Sequence, residues 1–453
     1  MNDIDSILES QKDFFKSNKT KELEFRLKNL IKLKEIIEKN EKVIFKGLKN
    51  DLGKSEFEAY STEIGFVLNE INFITKRLRR WVKPKKVKDS IVTFKSTNYI
   101  YPEPYGNTLI ISPWNYPFQL SIAPLVGSLA AGNTAIIKPS STSEHTSKIL
   151  ENLINNNFPS SYIYVVIGEK GKFLLDKKFD YIFYTGSIPI GKMVMEKAAK
   201  HLTPVTLELG GKSPCIVDDE GDMELFAKRI VWGKFLNAGQ TCVAPDYILV
   251  QKNVKEQLIQ NIIKYIEKFY GVNIQDNNEY GRIINEKHFN RLVKLLSGGR
   301  IIYGGKYNKD RLYISPTLID DIYWDDPIMK EEIFGPIFPI LEYSSLDEAI
   351  GTINSHSKPL ALYFFSSNDE KIEKIINNTS YGGGCINDTI MHLSNPNLPF
   401  GGIGNSGMGS YHGKSSFDVF THYKSVLKRS NAFDPNFRYP PFRDKLKVIR
   451  RFF

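Results

Sequence analysis

Apolar and polar positions alternate along the chain in two textures. Over residues 1–83, Phe25, Leu27, Leu30, Ile31, Leu33, Ile36, Ile37, Val43 and Ile44 recur among Lys and Glu at near-helical spacing, and 62–78 continues as a further amphipathic helix. From 108 to 209 short apolar runs at 108–111, 134–137, 162–166, 181–184 and 205–209 read as five strands. Helical stretches near 118–131, 143–156, 171–176 and 190–201 separate them. Strand–helix alternation of this kind predicts an α/β fold, a parallel sheet with both faces covered. A second alternating region runs to about 413, with helices near 223–236, 254–270 and 285–296, strands near 247–250 and 361–365, and a Gly-rich stretch over 382–413.

One segment invites a different reading. Residues 104–137 carry no charge, as a membrane span would, yet Pro113, Pro117, Pro124, Gly127 and Gly132 interrupt them. A buried strand–loop–helix–strand unit explains the run better. With 453 residues, 41% apolar and 25% charged, the chain has material for two to four domains, which excludes a disordered chain or a fibre. The net charge of +10 is densest from Lys76 to Lys88, where a solvated helix end is the expected reading rather than a nucleic-acid surface. Three cysteines are too few for a disulfide scaffold, and no CxxC or His/Cys cluster suggests a metal. The acidic start is not a secretory signal. A cytoplasmic protein is expected.

Ligands of such sheets bind beyond the carboxyl ends of the strands. Those loops hold Ser112-Pro113-Trp114-Asn115, Lys138-Pro139-Ser140, Gly168, Thr185-Gly186-Ser187 and Gly210-Gly211-Lys212. Gly186 and Gly191 at a helix start would let the backbone approach a pyrophosphate, although the spacing is not GxGxxG and, taken alone, a plain tight turn is the preferred reading. Cys242 in Asn237-Ala238-Gly239-Gln240-Thr241-Cys242 has polar, turn-forming neighbours, which suits a partly exposed thiolate nucleophile. Cys215 and Cys385 read as small core residues. Glu208 ends an apolar strand, where burial raises its pKa towards that of a useful base. Asn115 could donate its amide to a developing oxyanion. Glu332, before a Phe334-Gly335-Pro336 turn, reads in isolation as a surface carboxylate.

Together these segments resemble an aldehyde dehydrogenase. The resemblance rests on Pro113-Trp114-Asn115-Tyr116-Pro117, Lys138-Pro139-Ser140, Tyr184-Thr185-Gly186-Ser187, Leu207-Glu208-Leu209-Gly210-Gly211-Lys212-Ser213-Pro214, Gly239-Gln240-Thr241-Cys242 and Glu332-Ile333-Phe334-Gly335-Pro336. It is closest to the class 3 (fatty and aromatic aldehyde) branch through 200–206, 240–247 and 398–409. It implies NAD(P)-dependent oxidation of medium- or long-chain aliphatic or aromatic aldehydes to carboxylic acids. Cys242 would be nucleophile, Asn115 oxyanion donor and Glu208 hydrolytic base, with Glu332 as second candidate base. A CoA-linked acyl reductase on the same fold, which needs no such base, is the rival, followed by a non-catalytic relative.

The resemblance further implies coenzyme contacts at Ile111, Ser112, Pro113, Trp114, Lys138, Ser140, Ser141, Gly168, Gly186, Ser187, Gly191, Leu209, Gly210, Glu332 and Phe334. Tyr60, Tyr116, Phe400 and His412 would line the aldehyde tunnel. It implies a cofactor domain (1–83 and 105–208), a catalytic domain (209–413), a bridging unit (84–104 and 414–429) that would make a homodimer, and a tail (430–453). In many NAD-preferring relatives a glutamate stands where this chain has Ser141, so NADP is expected to be accepted beside NAD. The basic, Phe-rich residues 444–453 read as a cap at the substrate mouth, a weak membrane-surface contact, or a frayed end.

Overall fold

The computed structural model describes residues 4–168, 173–434, 436–443 and 445–451. The first apolar runs form strands Asn107–Ile111, Thr134–Lys138, Ile163–Val165, Tyr181–Thr185 and Val205–Glu208, parallel to one another. Successive strand residues are apolar because each face packs on a different core. Leu109, Ile136, Ile182 and Leu207 meet Ile7, Leu8 and Val194 on one side. Ile110, Ile137 and Phe183 meet Ile122, Val126 and Leu129 on the other. All 13 residues of helix Gln119–Ala131 are buried, so the uncharged run belongs to the protein's own core. Among the described residues no helix is long and apolar enough to cross a membrane.

The sheet order is Gly407–Met408, Val205–Glu208, Tyr181–Thr185, Asn107–Ile111, Thr134–Lys138, Ile163–Val165. The first of these strands runs antiparallel, Gly407 opposite Glu208 and Met408 opposite Leu207. The sequence reading leaves 407–408 with the catalytic unit; in the structure they return to the cofactor sheet, a pairing no local pattern announces. A second sheet takes the order Arg300–Tyr303, Thr317–Asp320, Ile337–Tyr343, Tyr247–Gln251, Pro214–Val217, Ala361–Phe365, Gly383–Ile386. A third, antiparallel, joins Lys85–Val87, Ser96–Pro104 and Thr421–Arg429 in unbroken nine-residue register between the last two.

Two helical expectations change. Of the stretch near 171–176, Gly171 and Lys172 lie outside the described residues, and Leu174–Asp176 is one 3₁₀ turn. The helix expected over 62–78 becomes a π-helical turn, Tyr60–Ile64, running into Gly65–Trp81. Of the C-terminal segment, Lys445–Ile449 forms one short helix with Leu446 exposed, and Asp444, Phe452 and Phe453 lie outside the described residues.

Candidate active site

Asn107–Ile111 is flanked in the sheet by the strand that follows it and, on the other side, by Tyr181–Thr185. The crossover direction reverses there, and at such a switch point the loops diverge and leave a crevice. A cavity of about 630 Å³ opens at that point. Pro113, Trp114 and Asn115 line it from the first loop, Gly186 and Ser187 from the second, Glu208 to Lys212 from the third, with Cys242, Glu332 and Phe334 across from them. Residues more than 200 positions apart thus share one wall.

The Cys242 loop is shaped by its backbone. After helix Met223–Phe235, Asn237 (φ 52°), Ala238 (φ 51°) and Gly239 (φ 74°) are left-handed in succession. A Cβ on Gly239 would sit 2.3 Å from the Gly335 carbonyl oxygen, so only glycine lets this turn approach the 334–336 turn. Gln240 pins the loop: its Nε2 donates to Asn237 O (3.0 Å) and Arg282 O (2.9 Å), and its Oε1 accepts from Ile284 N (3.0 Å). Asn115 Nδ2 donates to Gln240 O at 3.0 Å, and the Tyr116 hydroxyl lies 2.6 Å from Thr241 Oγ1. The polar residues around Cys242 therefore satisfy one another and not the sulfur.

Cys242 is partly exposed, as expected, but its surroundings disfavour the charged form of the sulfur. Burial pushes the Cys242 thiol up, the charges of Glu332 and Glu208 add to the effect, and the N–H groups of Cys242 and Val243 oppose it. Glu208 is 2% exposed and neither carboxyl oxygen has a hydrogen-bond partner. Burial therefore pushes its pKa well above the usual carboxylate range. Glu332 lies against the backbone so closely that a Cβ on Gly210 would stand 2.0 Å from its Oε2. Burial and the charge of Asp246 push Glu332 up to about 8, while the Gly211 N–H, Lys212 and Arg291 pull the other way.

Lys212, Asp246, His288 and Arg291 complete the site, and the sequence reading assigned none of them. Lys212 Nζ bonds Asp246 Oδ2 (2.6 Å), Ile328 O (3.0 Å) and Glu331 O (3.1 Å), while Asp246 Oδ1 accepts from Ile333 N (3.0 Å). Arg291 donates to Ile333 O at 2.5 Å. Together they fasten the loop that presents Glu332. The Trp114 ring lies 4.8 Å from His288 and meets Phe334 edge-on at 5.3 Å. Lys212 belongs to a Gly-Gly-Lys motif and was within reach of sequence reasoning; His288 and Arg291 look like the solvated face of helix Glu286–Leu295.

Comparison with known proteins turns this geometry into an identity. The aldehyde dehydrogenase family model matches residues 1–426. The chain is 50% identical to 4,4'-diaponeurosporen-aldehyde dehydrogenase of Staphylococcus aureus, with 100% of both chains covered. It is 47% identical to the dimeric NADP-preferring aldehyde dehydrogenase of Mus musculus over 97% of this chain and 98% of that one. A solved Staphylococcus aureus AldH structure in a substrate-bound state superposes with a TM-score of 0.97 at 49% identity, covering both chains completely. The chain belongs to the aldehyde dehydrogenase family. It is an NAD(P)-dependent enzyme of that family, related to its class 3 branch.

In this aldehyde dehydrogenase the expected coenzyme residues divide into two groups. Pro113, Trp114, Gly186, Ser187, Leu209, Gly210, Glu332 and Phe334 line the cavity. Ile111, Ser112, Lys138, Ser140, Ser141 and Gly168 lie outside it, at the ends of neighbouring strands. Ser112 is buried with its hydroxyl 2.6 Å from Ser121 Oγ, and the Ser140 carbonyl accepts from the Ser147 hydroxyl at 2.8 Å. Lys138 is partly buried, which pulls its ammonium pKa down, and Ser141 is exposed beside it. Gly191 serves packing: a Cβ there would meet Leu209 Cδ2 at 2.6 Å. The residues fit a dinucleotide, because helix Ile188–Ala199 opens at the cavity and no side-chain cap occupies its first amides.

None of the four expected tunnel residues lines the cavity. Tyr60 is 44% exposed on its π-turn. Tyr116 is buried against Thr241, and Phe400 and His412 are buried and stacked on each other, centroids 5.3 Å apart with planes at 15°. Burial lowers the His412 pKa to about 3, and neither ring nitrogen has a hydrogen-bond partner.

Proposed function

We propose that Cys242, Asn115 and Glu208 carry the oxidation, that long apolar aldehydes are the substrates, and that the enzyme accepts NADP beside NAD. The observation that carries the reading is the convergence of one thiol, one free amide hydrogen and one unpartnered buried carboxyl on a single cavity. Cys242 loses its thiol proton to solvent, and the resulting thiolate adds to the aldehyde carbonyl carbon. The second Asn115 N–H and the backbone N–H of Cys242 stabilise the negative charge that moves onto oxygen. Bound coenzyme supplies a hydride acceptor, and loss of hydride from the adduct leaves a thioester on Cys242. Glu208, once deprotonated, takes a proton from water, whose oxygen attacks the thioester and releases the acid. A CoA-linked reductase would have no use for Glu208.

Trp114, Leu120, Leu209 and Phe334 in the cavity wall offer apolar surface to a long substrate, and the Staphylococcus aureus relative is named for 4,4'-diaponeurosporen-aldehyde. A series of aliphatic aldehydes from two to twelve carbons tests this: kcat/KM should climb with chain length, and a flat series would refute it.

At the coenzyme end, exposed Ser141 leaves a 2′-phosphate unopposed and Lys138 attracts it. Ser141→Glu is expected to lower the NADP to NAD ratio of kcat/KM by about tenfold or more. An unchanged ratio removes the basis for NADP acceptance.

We also read the enzyme as a homodimer working in the cytoplasm. Thr421–Arg429 is a nine-residue edge strand with Val426 and Leu427 exposed, an edge that a second copy would cover, and a relative is named dimeric. All three cysteines are free thiols, as suits a reducing compartment. Light scattering should give twice the chain mass; a monomer would refute the assembly.

A further inference from the structure

Beneath the Asn115 loop lies a buried charge that the chemistry above leaves unused. Lys54 follows helix Glu41–Leu52 and its glycine cap, and is only 1% exposed. Its Nζ donates to Glu63 Oε1 at 2.5 Å and to the main-chain carbonyl of Asn115 at 3.1 Å, and lies 3.9 Å from the Tyr116 ring centroid. Glu63 is equally enclosed, and its other oxygen accepts from the N–H groups of Phe118 (2.9 Å) and Gln119 (3.1 Å). One ion pair therefore grips both ends of the turn that carries Asn115. The cation holds the carbonyl at its front and the carboxylate holds the amides at its back.

The same carbonyl receives a second donor from the nucleophile's side. Asn237 Nδ2 reaches Asn115 O at 2.9 Å and Gln240 O at 3.1 Å, and the Asn237 N–H is held by Glu58 Oε1 at 2.9 Å. The Asn115 peptide is thus the point where the Lys54 segment and the Cys242 loop meet.

Burying two charges is costly, and a well-packed apolar pair would hold the helices as well or better. What an apolar pair cannot do is fix the plane of a peptide through its carbonyl. We propose that Lys54, backed by Glu63, is the positioning residue of the oxyanion site: it orients the Asn115 peptide so that the side-chain amide points to where charge develops on the Cys242 adduct. The proposal rests on Asn115 being the oxyanion donor.

Lys54→Met alone leaves Glu63 an unpaired buried carboxylate and destabilises the fold. The informative variant is Lys54→Met/Glu63→Gln, which removes both charges and keeps an amide oxygen for the Phe118 and Gln119 N–H groups. Its kcat is expected to fall by about 10- to 100-fold, the scale of a displaced donor. The coenzyme KM and the rate of Cys242 alkylation by iodoacetamide should stay within about twofold of the parent. A kcat within twofold of the parent overturns the proposal. So does an equal loss of alkylation rate, or a double variant that does not fold, since either assigns the pair to general stability. Asn115→Ala measured alongside separates the two readings. If it is as fast as the parent, the oxyanion assignment fails; if it is slow while the double variant is fast, only the role of Lys54 fails.

Discussion

Cys242→Ala is expected to lower aldehyde oxidation by about 10⁴-fold or more while leaving the fold and coenzyme binding intact. Hydride departs readily only from a tetrahedral oxyanion, and the thiol is the group in the cavity able to create one by covalent addition. Removing it deletes the intermediate rather than weakening a contact, so the loss falls on kcat and cannot be recovered by more substrate. The side chain has few polar contacts of its own to lose. NAD(P)H formation with hexanal measures the rate, and coenzyme fluorescence quenching measures binding. The parent should show kcat/KM rising with pH, because burial and the nearby carboxyls hold the thiol protonated and the attacking thiolate grows as protons are withdrawn. A Cys242→Ala variant within a hundredfold of the parent would end the covalent scheme.

Glu208→Gln is expected to lower steady-state turnover by about 10²- to 10⁴-fold through loss of the general base, yet to retain a burst of NAD(P)H near one equivalent per active site. Acylation precedes the need for this base, so the thioester should accumulate and be visible as an acyl adduct on Cys242 by mass spectrometry. Neither oxygen of Glu208 has a hydrogen-bond partner to forfeit, so the amide should not weaken folding. The sign of the pH effect follows from burial: the carboxyl is held protonated in the neutral range, its base form grows with rising pH, and kcat of the parent rises with it. That rise should vanish in Glu208→Gln. At the alkaline pH where Glu208 ionises, its charge opposes formation of the thiolate, so the alkylation profile of Cys242 should move to lower pH in the same variant. Should Glu332→Gln show the burst and adduct while Glu208→Gln turns over normally, the base role passes to Glu332.

Much of this site was legible because it depends on local patterns. The strand ends and the glycines beside them placed Asn115, Gly186, Glu208 and Gly210 at one edge of a sheet, and that edge is where the cavity opens. Asn237 to Cys242 announced a tight turn, and the structure has three left-handed residues there. The ionisation of Cys242 was not legible. Its polar neighbours suggested a solvated sulfur, but Gln240, Thr241 and Asn237 spend their hydrogen bonds on the loop and on Tyr116, Asn115, Arg282 and Ile284 around it. Lys54, Glu58 and Glu63 carried no signal either, since charges near helical spacing look like an exposed face. They are buried because the Asn115 turn and the Cys242 loop close over them.

The amino-acid order alone settled the alternation of strands and helices, the turn residues and the resemblance to the family, because periodicity, backbone freedom and side-chain chemistry act over a few residues. Tertiary packing alone decided which distant loops share a wall, that 407–408 return to the first sheet, and which carboxyls and thiols keep their protons. The first two, and the direction in which each carboxyl and thiol is pushed, depend on how completely water is excluded from a group and which charges remain near it, and both are set by segments far away in the chain.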